Sequence, residues 1–145
     1  MQKLLDEIMV LVKKSDAEIK NISLLSLAFL GDSIHSLFVR EKLIASKNYR
    51  VKDLHSKTTK FVKASSQSFV LESIKEILTE EELRIVNTAR NSKTNNIAKN
   101  ATIKDYKNAT AFESLLGFLG IKNDFDRLHL ILNKSYDIIL SSIES

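Results

Sequence analysis

Two acidic residues stand alone in apolar surroundings, and they are the first candidates for chemistry. Between Ile19 and Arg40 the only acid is Asp32, in Leu27-Ala28-Phe29-Leu30-Gly31-Asp32-Ser33-Ile34. Between Tyr106 and Asn123 the only acid is Glu113, in Thr110-Ala111-Phe112-Glu113-Ser114-Leu115-Leu116-Gly117. Each is flanked by small residues (Ala28, Gly31 and Ser33; Ala109, Ser114 and Gly117) that let two helices approach closely. No Lys or Arg stands three or four residues from either acid, so neither has a cation on its own helix. A carboxylate is costly to bury unless it is paired or bound to metal. Two carboxylates from facing helices suit a hard divalent ion such as Mg²⁺. The competing reading is that the acids point to solvent or cap a neighbouring element.

Other groups offer less. His35 lies one turn from Asp32 and reads first as a packed residue; His55 and His129 have no carboxylate or second histidine at metal-binding spacing. There is no glycine-rich phosphate loop and no nucleophile elbow. Phe29, Phe61, Phe69, Phe112 and Phe118 fall at core spacing and read as packing before base stacking. Two segments are basic: Arg50, Lys52, Lys57, Lys60 and Lys63 against Asp53, then Arg90, Lys93, Lys99, Lys104 and Lys107 against Asp105. Such segments suit a surface that tracks phosphates, though solvated faces would look the same.

The elements that must position these groups are helices. Among 145 residues there is no proline and there are three glycines, so little punctuates the chain. Apolar spacing of three and four dominates, with no convincing alternation. The pattern predicts a short first helix over Leu4–Val12 and a second from about Ile22 to Ala45 that buries Leu24, Leu27, Leu30, Ile34, Leu37 and Phe38. A third is expected from about Lys52 to Leu78. Thr79 and Glu82 form a capping box that opens a helix to about Arg90. The polar stretch Asn91–Ala101 reads as an exposed loop. Thr102 caps the next helix, to about Leu119, and Asn123 or Asp124 opens the last. The expectation is one all-α domain over residues 1–145, without repeats or linkers. The net charge of +4 is a modest basic excess. The absence of cysteine excludes disulfides and thiolate metal sites and fits a cytoplasmic protein. The acids at Asp6 and Glu7 do not suit a secretory signal, and no apolar run is long enough to span a bilayer.

Taken together, the motifs resemble the catalytic domain of the ribonuclease III family, over about residues 22–126. Leu30-Gly31-Asp32-Ser33 matches the centre of its signature helix, and Phe112 through Gly117 resembles its second acidic motif. Asp53-Leu54-His55, Arg90-Asn91-Ser92-Lys93, Lys99-Asn100 and Tyr106 through Gly117 bring the chain nearer to the Mini-III branch, which lacks a double-stranded-RNA-binding domain. Larger family members carry further acids four residues before the signature Asp and three before the second-motif Glu. Ala28 and Thr110 stand there in this chain, as non-acidic residues also do in the active Mini-III branch. Departures from the branch are Asn95 for a glycine, Ala98 for a proline, and an exchange of Lys63 and Ser65 around Ala64.

The resemblance implies a homodimeric, Mg²⁺-dependent endoribonuclease that cuts double-stranded RNA, leaving 5′-phosphate and 3′-hydroxyl ends. Asp32 and Glu113 would be its catalytic, metal-binding pair. It further implies precursor 23S (large-subunit) ribosomal RNA as substrate, held through Arg90, Asn91, Lys93, Lys99, Asn100 and the Lys57, Lys60 and Lys63 face. The surface around Phe29 and Leu30 is the expected part of the dimer interface. A non-catalytic RNA-binding or ribosome-associated module on the same fold is the alternative, and retention of both acids argues against it.

Overall fold

The computed structural model describes residues 14–92 and 102–144, together with Glu7. Among them there is helix and no strand: α1 Asp16–Lys20, α2 Leu24–Ser46, α3 Val51–Val62, α4 Ala64–Ile74, a 3₁₀ turn Lys75–Ile77, α5 Glu80–Arg90, α6 Ile103–Ile121 and α7 Phe125–Glu144. The helix expected over Leu4–Val12 falls outside the described residues, apart from Glu7. The one-turn helix α1 was not expected. Ser15 and Glu18 close a capping box around it, each side chain meeting the other's backbone N–H.

Hydroxyls and one acid set most of the other starts. Ser23 Oγ accepts from Ser26 N at 3.1 Å, Thr79 Oγ1 from Glu82 N at 3.1 Å and Thr102 Oγ1 from Asp105 N at 3.0 Å. The last two are the caps the sequence predicts. Asp124 opens α7, accepting weakly from Arg127 N at 3.4 Å, after a left-handed turn at Asn123 (φ 62°) that ends the preceding segment.

The core is built around α6, which packs against α2, α4, α5 and α7. A helix covered on several sides must be apolar nearly all round. From Ala109 to Ile121 only Thr110 and Glu113 escape full burial. By contrast α7 buries one stripe, Leu128, Ile131, Leu132, Ser135, Tyr136 and Ile139. Asn108 fixes α6 to α4 by donating to Ser68 Oγ at 3.0 Å and to Glu72 Oε1 at 3.2 Å.

The crossing of α2 and α6 matters most for function. A Cβ on Gly31 would overlap the backbone carbonyl of Glu113, and one on Gly117 would overlap that of Leu27. Glycine is required at both points because each backbone lies where the other's side chain would be. Ser114 Oγ donates to Leu24 O at 2.8 Å across the same contact.

Three expectations are corrected. The long helix from Lys52 to Leu78 is broken at Lys63, whose ψ of 155° takes the backbone out of helix. The break lets the two halves bury different faces, Thr58 and Phe61 on α3 and Gln67, Val70, Leu71 and Ile74 on α4. Lys63 O then accepts from both Ser66 N and Gln67 N, starting the second half without a side-chain cap. Phe29 and Phe69 are not core: they are 81% and 53% exposed, on the outward sides of α2 and α4. Leu37 is likewise exposed, because its neighbours Phe38 and Val39 take the inward positions.

Candidate active site

Asp32 follows Gly31 on α2, and Glu113 lies on α6 at the point that Gly31 touches. The crossing thus brings the two acids together from sequence positions far apart. Their surroundings differ. Asp32 is exposed, so the cost of burial does not apply to it; Glu113 is half-buried. Burial pushes the Glu113 carboxyl up to about 8, and its hydrogen bond with Asp32 and the charge of Asp32 push the same way. One hydrogen bond opposes them, from Gln67 Nε2 to Glu113 Oε2 at 3.4 Å. Among the described residues neither acid forms an ion pair.

Two adjoining carboxylates that no described Lys or Arg neutralises make a donor set for a hard cation. Among the described residues no group of three or more His, Asp or Glu gathers to hold a metal. Mg²⁺ does not need such a cage: it usually keeps several waters and takes one or two carboxylates along with substrate phosphates. The pair fits that habit. Ala28, at one of the positions where larger family members have an acid, is buried, and Thr110, at the other, is half-buried.

Sequence reasoning missed Gln67. It is 2% exposed and on α4, yet it reaches Glu113 on α6. Its signal was an amide on an apolar stripe, three, four and seven residues before Val70, Leu71 and Ile74. His35 is packed, as expected: it is buried, with its ring edge-on to Phe112 at 5.2 Å. His129 meets its own helix neighbour Asn133 at 3.1 Å.

The basic residues are spread more widely. Lys63 stands at the break before α4, four residues ahead of Gln67, and is exposed, as is Lys60. Lys57 rests its ammonium over the Tyr49 ring at 5.0 Å, where Lys47 also lies, at 5.5 Å. Arg90 ends α5 half-buried, its Nε enclosed without a hydrogen-bond partner, and Asn91 caps that helix. Lys93, Lys99 and Asn100 lie outside the described residues. No described helix is long and apolar enough to cross a membrane.

Comparison with known proteins gives the chain a family. The ribonuclease III domain matches residues 25–124, which include both acids. A Mini-ribonuclease 3 of Thermoanaerobacter sp. (strain X514) is 43% identical over 119 residues, 82% of this chain and 84% of that one. The Mini-ribonuclease 3 of Staphylococcus aureus is 33% identical over 128 residues, 87% of this chain and 96% of its own. A crystal structure of a Fusobacterium nucleatum protein superposes with a TM-score of 0.74 at 31% identity, covering 86% of this chain and 97% of the other. The chain belongs to the ribonuclease III family, among its Mini-ribonuclease 3 members.

Proposed function

We propose that this ribonuclease III-type endoribonuclease cuts double-stranded RNA with Mg²⁺ held by Asp32 and Glu113, and that its substrate is precursor 23S ribosomal RNA. The observation that carries the reading is the pair of carboxylates at the α2–α6 crossing, paired with no cation among the described residues. When bound, the ion supplies positive charge that acidifies a water and stabilises the phosphate as the bond breaks. The protein's part is positional. Gly31 and Gly117 let the two backbones meet, and the Asp32 and Glu113 carboxyls adjoin. Metal binding also requires Glu113 to release its proton, which the ion's charge drives. Products would carry 5′-phosphate and 3′-hydroxyl ends, and the site of action would be the cytoplasm.

Binding of duplex RNA rests on shape and backbone contacts, since the major groove of A-form RNA is closed to side chains. Lys63 is exposed four residues before Gln67, the residue that donates to Glu113. Lys57, Lys60, Arg90 and Asn91 extend the surface, and Lys93, Lys99 and Asn100 are proposed to complete it. The domain itself then grips the RNA.

We also propose a homodimer with one site per subunit, each cutting one strand. The exposed side of α2 supports it: Leu25 and Phe29 are exposed on the side that carries Asp32, an apolar surface suited to a second copy. The test incubates the protein with duplex RNA, including a precursor 23S stem, with Mg²⁺ or with chelator. Metal-dependent cleavage leaving 5′-phosphates is expected. No cleavage at any Mg²⁺ concentration would defeat the catalytic reading, and sedimentation showing only monomer at micromolar concentration would defeat the dimer.

A further inference from the structure

Behind Glu113 a chain of polar groups runs into the core, and the metal reading alone does not use it. Gln67 Nε2 donates to Glu113 Oε2 at 3.4 Å and meets His35 Nδ1 at 2.9 Å. On the far side of the imidazole, His35 Nε2 lies 3.5 Å from Ser135 Oγ. Gln67, His35 and Ser135 are each no more than 2% exposed, and they come from α4, α2 and α7. A buried polar group without partners costs free energy, so three such residues linked in a line to a half-buried acid call for a cause.

We propose that Gln67 and His35 are positioning residues for Glu113: the imidazole fixes which end of the Gln67 amide faces the acid, and the amide fixes the carboxylate for the ion. The proposal rests on the metal reading above.

The orientation follows from donor and acceptor accounting. An amide NH₂ has two hydrogens, and here each has an acceptor, His35 Nδ1 and Glu113 Oε2. Once Glu113 is ionised for the ion, a flipped amide would set its carbonyl oxygen against a carboxylate oxygen. What prevents the flip is an imidazole whose Nδ1 only accepts. Burial holds His35 neutral, its pKa lowered to about 4, so it carries one N–H. If that proton is on Nε2, it points to the Ser135 hydroxyl and leaves Nδ1 bare for Gln67. The amide then donates to Oε2 of Glu113 and leaves Oε1 for the ion.

Groups that orient metal ligands in this way typically matter by about 10–100-fold in metal affinity. Mn²⁺ is the probe, its bound fraction read by electron paramagnetic resonance in wild type, Gln67→Met, His35→Leu and His35→Asn. Gln67→Met keeps the volume and removes the donor. His35→Asn offers its Oδ1 near the place of Nδ1, whereas His35→Leu offers no acceptor. Gln67→Met and His35→Leu are expected to bind Mn²⁺ about tenfold more weakly. Both should recover cleavage in part at high Mg²⁺, with helical circular dichroism and metal-free RNA binding unchanged. His35→Asn should bind Mn²⁺ within about threefold of wild type, a rescue that mere core packing would not give.

A measurement on the unaltered protein keeps the test sharp if a variant does not fold. Nitrogen-15 chemical shifts of His35 should report the Nε2–H form at neutral pH, and the Nδ1–H form would overturn the proposal. So would folded Gln67→Met with wild-type Mn²⁺ affinity, or His35→Asn no better than His35→Leu. Wild type that binds no Mn²⁺ defeats the metal reading and this proposal with it. Wild type that binds, with variants that match it, defeats only the positioning role.

Discussion

Glu82 and Glu113 show two ways of keeping a carboxylate in a protein interior. Glu82, on α5, is 3% exposed. It accepts from Thr79 N at 3.0 Å, from Arg127 Nε at 2.8 Å and from Arg127 Nη2 at 2.8 Å. Arg127 also donates to the carbonyl of Ile77, tying α7 to the turn before α5. Burial raises the Glu82 pKa, but hydrogen bonds from Arg127 and Thr79 and the charge of Arg127 outweigh it, and the net shift is downward. Glu113 has a long hydrogen bond from a neutral amide and, on its other side, an acid for a partner, and its pKa is pushed up to about 8. Burial acts in the same direction on both. The partner decides the outcome, and a half-buried acid beside another acid is the one to suspect of chemistry.

The largest expected effect breaks the pair without a cation. Asp32→Asn and Glu113→Gln each remove a metal-binding charge with little change in volume. Single-turnover cleavage of duplex RNA should fall by about 10³-fold or more, since several kcal/mol of charge stabilisation are lost. Helical circular dichroism should be retained. Near-normal Mg²⁺-dependent cleavage by either variant would remove it from the site.

Arg127→Met should do the reverse, sparing activity and lowering stability. Glu82 would lose its cation while remaining enclosed. Removing one partner of a fully buried pair costs about 3–5 kcal/mol; Arg127 is partly exposed, so about 2–3 kcal/mol is expected. Urea unfolding measures it, and cleavage at temperatures well below the melt should stay within about twofold of wild type, a rate difference of only tenths of a kcal/mol. A shift no greater than that of an ordinary surface substitution would show that the bridge is not what keeps Glu82 ionised in place.

The crossing that brings Asp32 and Glu113 together admits a third test. Gly31→Ala sets a methyl against the Glu113 carbonyl and forces α2 and α6 apart. The expected cost is about 1–3 kcal/mol of stability, with a loss of cleavage that Arg127→Met does not share. Chemical unfolding alongside cleavage rates checks both. Loss of stability with full activity would mean that the spacing of the acids tolerates the shift.

Much of this was legible in the sequence, and the reasons are local. Thr79 with Glu82, and Thr102, announce helix starts because their side chains act within four residues. The small residues beside each acid announced a close crossing. What stayed hidden depends on distant chain. The break at Lys63 carries no proline or glycine; it reflects which faces of α3 and α4 the rest of the core covers. Phe29 has the spacing of a core residue, and only the packing of Leu27, Ala28 and Gly31 against α6 shows it turned outward. Gln67 was hidden for the same reason: its partners are 32 and 46 residues away.

The smallest effect is in stability against pH, where the two glutamates should act with opposite sign. Glu82 has a lowered folded pKa, so its contribution is present above the ordinary carboxylate range and is lost as pH falls through the lowered value. Glu113 has a raised one. Between its ordinary value of 4.5 and about 8 the folded metal-free protein keeps a proton that the unfolded chain releases. Stability conferred by that proton is complete below the ordinary value and declines as pH rises to about 8. Glu113→Gln removes the decline, because an amide has no proton to lose. In chelator at pH 8 it should therefore melt above wild type by several degrees or more. At pH 5 the two proteins should melt nearly together. Adding Mg²⁺ should raise wild type at pH 8 and leave Glu113→Gln almost unmoved, since the ion takes the place of the missing proton only where a carboxylate remains. Thermal melts at pH 5, 6.5 and 8, with chelator and with Mg²⁺, separate these behaviours. Parallel curves for the two proteins across that range would mean that Glu113 is compensated like Glu82, and the contrast between them would fall.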